Sequence, residues 1–151
     1  MRVVGFSFTK ISGERTPEPR PNLSMSTDIE FINFEKENVE ILRESEAINV
    51  SFKFSISYFD KPEKEKKEPK DKYGEIVLAG NIILAAEKEE VKEIMKGWKK
   101  KEVDPKYKVP LFNLIIVKCL PKSLQVEEEL NLPLHVPVPQ LRAQGPEGEK
   151  K

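Results

Sequence analysis

The residues able to do chemistry are few and far apart. The one histidine, His135, lies in an extended, proline-flanked segment, and the one cysteine, Cys119, lies in an apolar helical run. A structural zinc site needs four such ligands, and no second ligand pair exists. A cysteine and a histidine can serve as nucleophile and base, but a buried thiol and a partly exposed imidazole are the plainer reading. No glycine-rich phosphate loop and no nucleophile elbow occurs. The acids fall mostly in charge runs, where a solvated face is the ordinary outcome. The sequence therefore predicts no enzyme, no metal and no cofactor.

A second candidate is electrostatic. Lys96, Trp98, Lys99, Lys100 and Lys101, with Lys106, Tyr107 and Lys108, interleave lysines with aromatics, as a surface for single-stranded nucleic acid would. The same residues read as an ordinary helix C-terminus with Trp98 turned to the core, and this reading is preferred. Lys plus Arg and Asp plus Glu both total 26, so no net charge draws the chain to a polyanion. The 151 residues, 38% hydrophobic and 34% charged, suit one domain with a real core and a highly charged surface. A single cysteine excludes an internal disulfide and points to a reducing, cytoplasmic home. The N-terminal apolar run alternates and is too short for a signal peptide. No stretch reads as a transmembrane helix, so no membrane insertion is expected.

Strands dominate the first half. Arg2 to Ser12 places Val4, Phe6 and Phe8 on one face and Gly5, Ser7 and Thr9 on the other. Gly13 to Asn22 carries Pro17, Pro19 and Pro21 and reads as a crossover, so the next strand need not lie beside the first. Met25 to Phe34 is a strand with a phase slip. Ile29 and Phe31 share one face and Ile32 and Phe34 the other, which implies a bulge or a strand apolar on both sides. Glu35 to Asn38 reads as a turn, and Val39 to Arg43 as a weak extension of the sheet. Ala47 to Tyr58 alternates cleanly, with Ile48, Val50, Phe52, Phe54, Ile56 and Tyr58 inward. One wet face is an antiparallel habit. Asp60 to Lys72 is a charged, mobile loop, and Tyr73 to Ala85 the fourth strand, pairing with the third.

Helical spacing follows. Val91, Ile94, Met95 and Trp98 make one stripe over Glu87 to Lys101, with acids early and lysines late, as the helix dipole favours. Pro105 and Pro110 separate it from an apolar helix, Leu111 to Val117. A polar turn is expected at Lys118 to Ser123, where Pro121 breaks or kinks the helix, then a short helical pattern from Leu124 to Leu130 and an extended tail. The apolar helix is greasy on nearly all sides and must be covered on nearly all sides. One small sheet covers one side, so a second copy of the chain is expected to cover the rest. The reading is α+β: four antiparallel strands, Greek-key-like through the proline-rich crossover, then C-terminal helices. It is one domain over residues 1–142, with a disordered tail at 143–151.

Laid out in this order, the parts resemble the SecB family of export chaperones. Phe8-Thr9-Lys10-Ile11-Ser12 resembles that family's opening strand, Tyr-Thr-Lys-Asp-Ile-Ser, and a proline-rich crossover follows in both. Gly80-Asn81-Ile82-Ile83-Leu84-Ala85 resembles its Gly-Gly-Ile-Phe segment. Val109-Pro110-Leu111-Phe112 through Lys118-Cys119-Leu120, then Asn131 to Val136, resembles its long helix with a cysteine followed by Asn-Leu-Ala-Pro-Val-Asn-Phe. The likeness spans Val3 to Leu141 in order and spacing.

The resemblance implies a dimer of dimers and a function: binding unfolded or precursor polypeptides without ATP, through hydrophobic grooves. The groove residues it implies are Leu23 and Met25 at the crossover, Ile29 and Phe31 on the second strand, and Leu120, Leu124, Leu132, Leu134 and Val136 on the helix end and tail. Subunit core or oligomer interface is the alternative place for each. This chain is neutral where familiar members are strongly acidic. It lacks the Asp between Lys10 and Ile11, and Ile76 to Gly80 lacks the acid that helps dock the export motor. Handoff to that motor is therefore not expected. A general holdase, or a chaperone dedicated to one unstable client such as an antitoxin, fits equally well.

Overall fold

A computed structural model describes residues 1–19, 22–37, 45–60, 72–137, 139, 141 and 143. Four strands precede two helices: β1 (Arg2–Arg15), β2 (Leu23–Glu37), β3 (Glu46–Asp60), β4 (Lys72–Ala86), α1 (Lys88–Lys99) and α2 (Pro105–Glu129). The strands form one antiparallel sheet in the order β1-β4-β3-β2. The proline-rich crossover thus carries the chain from one sheet edge to the other, and β3 and β4 pair as expected. The expected weak extension at Val39 to Arg43, the charged loop between β3 and β4 and most of the C-terminal tail lie outside the described residues.

The alternation in β3 is what the sheet is built on. Ile48, Val50, Phe52, Phe54, Ile56 and Tyr58 are all buried, facing the same side as Ile76, Leu78, Ile82 and Leu84 of β4. Asn49, Ser51, Lys53, Ser55 and Ser57 face the other side, which neither helix covers. Gly80 sits where β1 crosses Phe52: a Cβ there would lie 2.2 Å from the Ser7 carbonyl oxygen. Phe6 instead lies with its ring 5.4 Å from that of Phe52.

Both edge strands carry bulges that alter the expected faces. In β1 the register slips between Val3 and Gly5 and between Phe8 and Lys10, so Val4 and Thr9 are unpaired and Val3, Phe6, Phe8 and Ile11 share the helix side. In β2 it slips between Phe31 and Asn33. The bulged residue is Ile32, and Phe34 returns to the face of Ile29 and Phe31, against the expectation that it pointed away. Its ring meets that of Phe31 at 5.0 Å. One extra residue shifts the period-two pattern by one place. Glu35 to Glu37, expected as a turn, remain in the strand.

The helices lie on one face of the sheet. In α1, Val91 and Ile94 are buried and Trp98 stacks on Phe34 at 5.0 Å. α2 runs unbroken for 25 residues, which corrects the expected turn at Lys118 to Ser123. Asp104 caps it by accepting from the Lys106 N–H at 3.0 Å, and Pro105 opens it, where a missing N–H costs nothing. Pro110 and Pro121 lie inside but are exposed, and the carbonyls they orphan, on Lys106 and Val117, belong to exposed residues that solvent can reach. Continuity also makes α2 long and apolar enough, by length and composition, to cross a membrane, where no such stretch was expected. Its buried residues nevertheless follow one ridge at every fourth position, Tyr107, Leu111, Ile115, Cys119, Ser123 and Glu127, as in a helix packed on a neighbour.

Candidate functional site

Beside that buried ridge lies a second one, offset by a single residue: Phe112, Ile116, Leu120 and Leu124. It does not reach the sheet centre but overhangs the edge strand β2. A groove of about 430 Å³ opens there, lined by Thr27, Asp28 and Ile29 of β2, Phe54 of β3, Phe112, Ile116 and Leu120 of α2, and His135 and Val136 of the tail. Phe31 lies against one of its walls, its ring 4.8 Å from that of Phe112. The groove exists because β2 is an edge strand whose apolar face is buried at Phe34, beneath Trp98, but left partly open around Ile29. A second depression of about 470 Å³ follows along α2, lined by Pro121, Leu124, Gln125, Glu128, Asn131 and Leu134.

The implied groove residues are distributed unevenly. Ile29, Leu120 and Val136 come together in the first groove; Phe31 does not line it but lies against Phe112. Leu124 and Leu134 come together in the second. Leu23 and Met25 lie further along the same face of β2, Leu23 packed against the core and Met25 exposed. Leu132 is only 5% exposed and belongs to the core. Its burial follows from how α2 ends. Asn131 takes a left-handed φ of 53°, Leu132 N–H donates to the Glu127 carbonyl at 2.9 Å, and Asn131 N–H donates to that of Glu128 at 3.2 Å. This is a Schellman motif, whose next residue characteristically packs inward.

The charged residue that sequence reasoning missed is Glu127. It occupies a core position of the α2 ridge and is 0% exposed. Its Oε2 accepts from the Tyr58 hydroxyl and, at 2.9 Å, from the backbone N–H of His135; its Oε1 lies 2.8 Å from His135 Nδ1. A buried carboxylate is tolerated when donors surround it. Burial first, and then the bond to Glu127, push the Tyr58 hydroxyl's pKa upward. The signal was present: an acid in register with Tyr107, Leu111, Ile115 and Cys119, eight places before the lone histidine. The His135 side chain is 9% exposed, less than expected. Cys119 is fully buried, as expected, and desolvation pushes its thiol up to about 12, so it is no nucleophile at neutral pH. No cluster of three metal-ligating residues occurs among the described residues.

The lysine-aromatic region is already engaged with itself. Trp98 is stacked on Phe34 and capped by Lys101 at 4.2 Å, while Tyr107 is buried and donates to Glu93 at 2.9 Å. Lys106 pairs with Glu93 at 2.9 Å; this bond, with that from Tyr107, holds the Glu93 carboxyl below its usual range. These rings offer no free face to stack on a base.

Among solved structures, the fold is similar to that of a SecB-like chaperone from Mycobacterium tuberculosis in complex with a ChAD peptide from the HigA1 antitoxin. The identity is 10%, the match covers 95% of this chain and 92% of that one, and the TM-score is 0.47. No family model matches the sequence, and no curated protein matches it.

Proposed function

We propose that this protein is an ATP-independent holdase that binds unfolded or non-native polypeptide segments and keeps them competent for folding or translocation. The observation that carries the reading is the open groove between β2 and α2, walled by Ile29, Phe54, Phe112, Ile116, Leu120 and Val136. A folded partner offers few protruding apolar side chains to fill such a groove, whereas an unfolded chain offers many. Burying one client Leu or Phe contributes about 1.5–3 kcal/mol. A micromolar complex needs about 8 kcal/mol net of ordering costs. One side chain is too weak, so several must bind together, across both depressions and across copies of the chain.

Self-association belongs to the same proposal. Val109 and Val117, 54% and 66% exposed, lie on α2 away from the sheet, and a second copy covering them would give the dimer or tetramer that the SecB resemblance implies. A reducing cytoplasm suits the single buried thiol. The test is aggregation of a chemically denatured model protein, diluted with and without near-stoichiometric amounts of this one and no nucleotide. Suppressed light scattering is expected. Equal aggregation in both samples would sink the reading, and salt-sensitive binding to a single-stranded oligonucleotide would favour the lysine-rich region instead.

A further inference from the structure

We infer that the segment Leu132–Pro137 is a strap across the binding surface, and that Glu127 is the positioning residue that fastens it. The inference rests on the polypeptide-binding reading above. The two depressions share the ridge Phe112, Ile116, Leu120 and Leu124 along α2, so the helix alone would form one continuous trough. The tail divides it: Leu134 borders one side, and His135 and Val136 border the other. The strap is anchored at two points of different kind. Leu132 is fixed by the Schellman turn and its burial in the core. His135 is fixed by two bonds to a single buried carboxylate, at 2.9 Å from its backbone N–H and 2.8 Å from Nδ1. Beyond His135 the strap presents Val136 to the groove, so an apolar side chain of this chain holds the place where a client's would lie.

The fastening is local. Glu127 joins α2 to Tyr58 of β3 and to the tail, but only the tail depends on it for its course, because Tyr58 is held in the sheet by its own strand and α2 by the ridge from Tyr107 to Ser123. Releasing the strap would join depressions of about 430 and 470 Å³ into one trough. The fastened protein is thereby selective for short client segments, and the unfastened one for long ones. A segment reaching both depressions binds each half at the high effective concentration set by the other.

Two variants unfasten the strap by different routes. Glu127→Leu removes the acceptor, and His135→Pro removes both donors while leaving the α2 core and Tyr58 intact. Hydrogen exchange on the intact protein reads the strap without any client. The amide of His135, which donates to Glu127, is expected to be protected in the parent and unprotected in Glu127→Leu, with α2 protection retained; His135→Pro carries no amide at that position and is read by peptide binding. Binding of two labelled apolar peptides, about 6 and about 14 residues long (~3.3 Å per residue when extended), then reads the consequence. The affinity of the long peptide relative to the short one is expected to rise about tenfold in both variants, the short peptide reporting whatever the loss of His135 and Val136 from the first groove does by itself. Tail amides exchanging at open-chain rates in the parent, or both peptides shifting equally in the variants, would overturn the strap alone. Absence of binding by parent and variants alike would bring down the polypeptide-binding reading, and the strap's role with it.

Discussion

Two adjacent isoleucines on α2 separate packing from binding. Ile115 is fully buried on the ridge that meets the sheet; Ile116, one residue on, is 44% exposed in the groove. Ile115→Ala removes a core side chain and leaves a cavity, costing about 2–5 kcal/mol of stability. For a domain of this size that is roughly 4–20 °C in melting temperature. Ile116→Ala forfeits less in the free protein, about 0.8–1.7 kcal/mol, because 44% of the residue already faces solvent. Its loss is felt on binding instead. Full burial of an isoleucine contributes about 1.5–3 kcal/mol, and the exposed 44% is what a client could still cover, so about 0.7–1.3 kcal/mol is at stake. That is a three- to ninefold weaker Kd for an apolar peptide. The assay is calorimetric melting of both variants beside peptide titration by fluorescence anisotropy, with native mass measured on each sample. The reasoning is refuted if Ile116→Ala melts as low as Ile115→Ala, or if it binds peptide as the parent does. A changed native mass in Ile116→Ala would instead put this face at a subunit contact.

Three further outcomes follow from the packing. Cys119 should resist a thiol reagent at pH 8 until the protein unfolds. Because its folded pKa is raised from the ordinary 9.0 to about 12, its contribution to stability is intact below pH 9 and is lost as pH climbs towards 12; the raised Tyr58 hydroxyl adds a loss of the same sign above its ordinary 10.0. Melting temperature should therefore hold up to roughly pH 9 and fall beyond it, and a flat alkaline profile would contradict the burial of both groups. Gly80→Ala drives a Cβ into the Ser7 carbonyl oxygen, 2.2 Å away, and forces β1 off β4. A cost of about 1–3 kcal/mol, or roughly 2–12 °C in melting temperature, is expected, and an unchanged melt would show that the edge strand gives way freely.

The legible part of this chain was what a local period could carry. Six alternating apolar residues in β3 announced the sheet, and Val91, Ile94 and Trp98 announced α1 and the face it buries. Reading failed where one residue changes the phase or the rule. The bulges at Val4 and Thr9 each add a residue that the alternation did not signal; the phase slip in β2 did signal a bulge, but not its place at Ile32, and Phe34 was assigned to the wrong face. Pro110 and Pro121 were read as breaks because proline usually ends a helix; here the carbonyls they orphan belong to solvent-exposed residues, and the 25-residue helix runs on. Of the groove residues that the SecB resemblance implied, Ile29, Leu120 and Val136 line one depression, and Phe31 lies against Phe112 of its wall. Phe54, Phe112 and Ile116 were not named, since a core strand and an apolar helix give no local sign of which flank stays open. Glu127 was the hardest: a carboxylate in a run of acids looks solvated until the i±4 ridge assigns it to the core.

That ridge also explains how one helix can serve two surfaces. In α2 the residues at every fourth place form parallel ridges, and the sequence fills several with apolar side chains. The ridge of Leu111, Ile115 and Cys119 is consumed by the sheet. The next, Phe112 to Leu124, lines both depressions, and Val109 and Val117 lie beyond it in solvent. An ordinary surface helix of a single domain needs only the first of these, with polar residues elsewhere. Retaining apolar residues on the others costs solubility and gives a lone chain nothing. The arrangement makes physical sense when the far side meets another copy and the flank meets transient chains. The polar residues of α2 are placed accordingly: Glu127 is the acid turned inward, and it is turned inward at the point where the tail must be tied down.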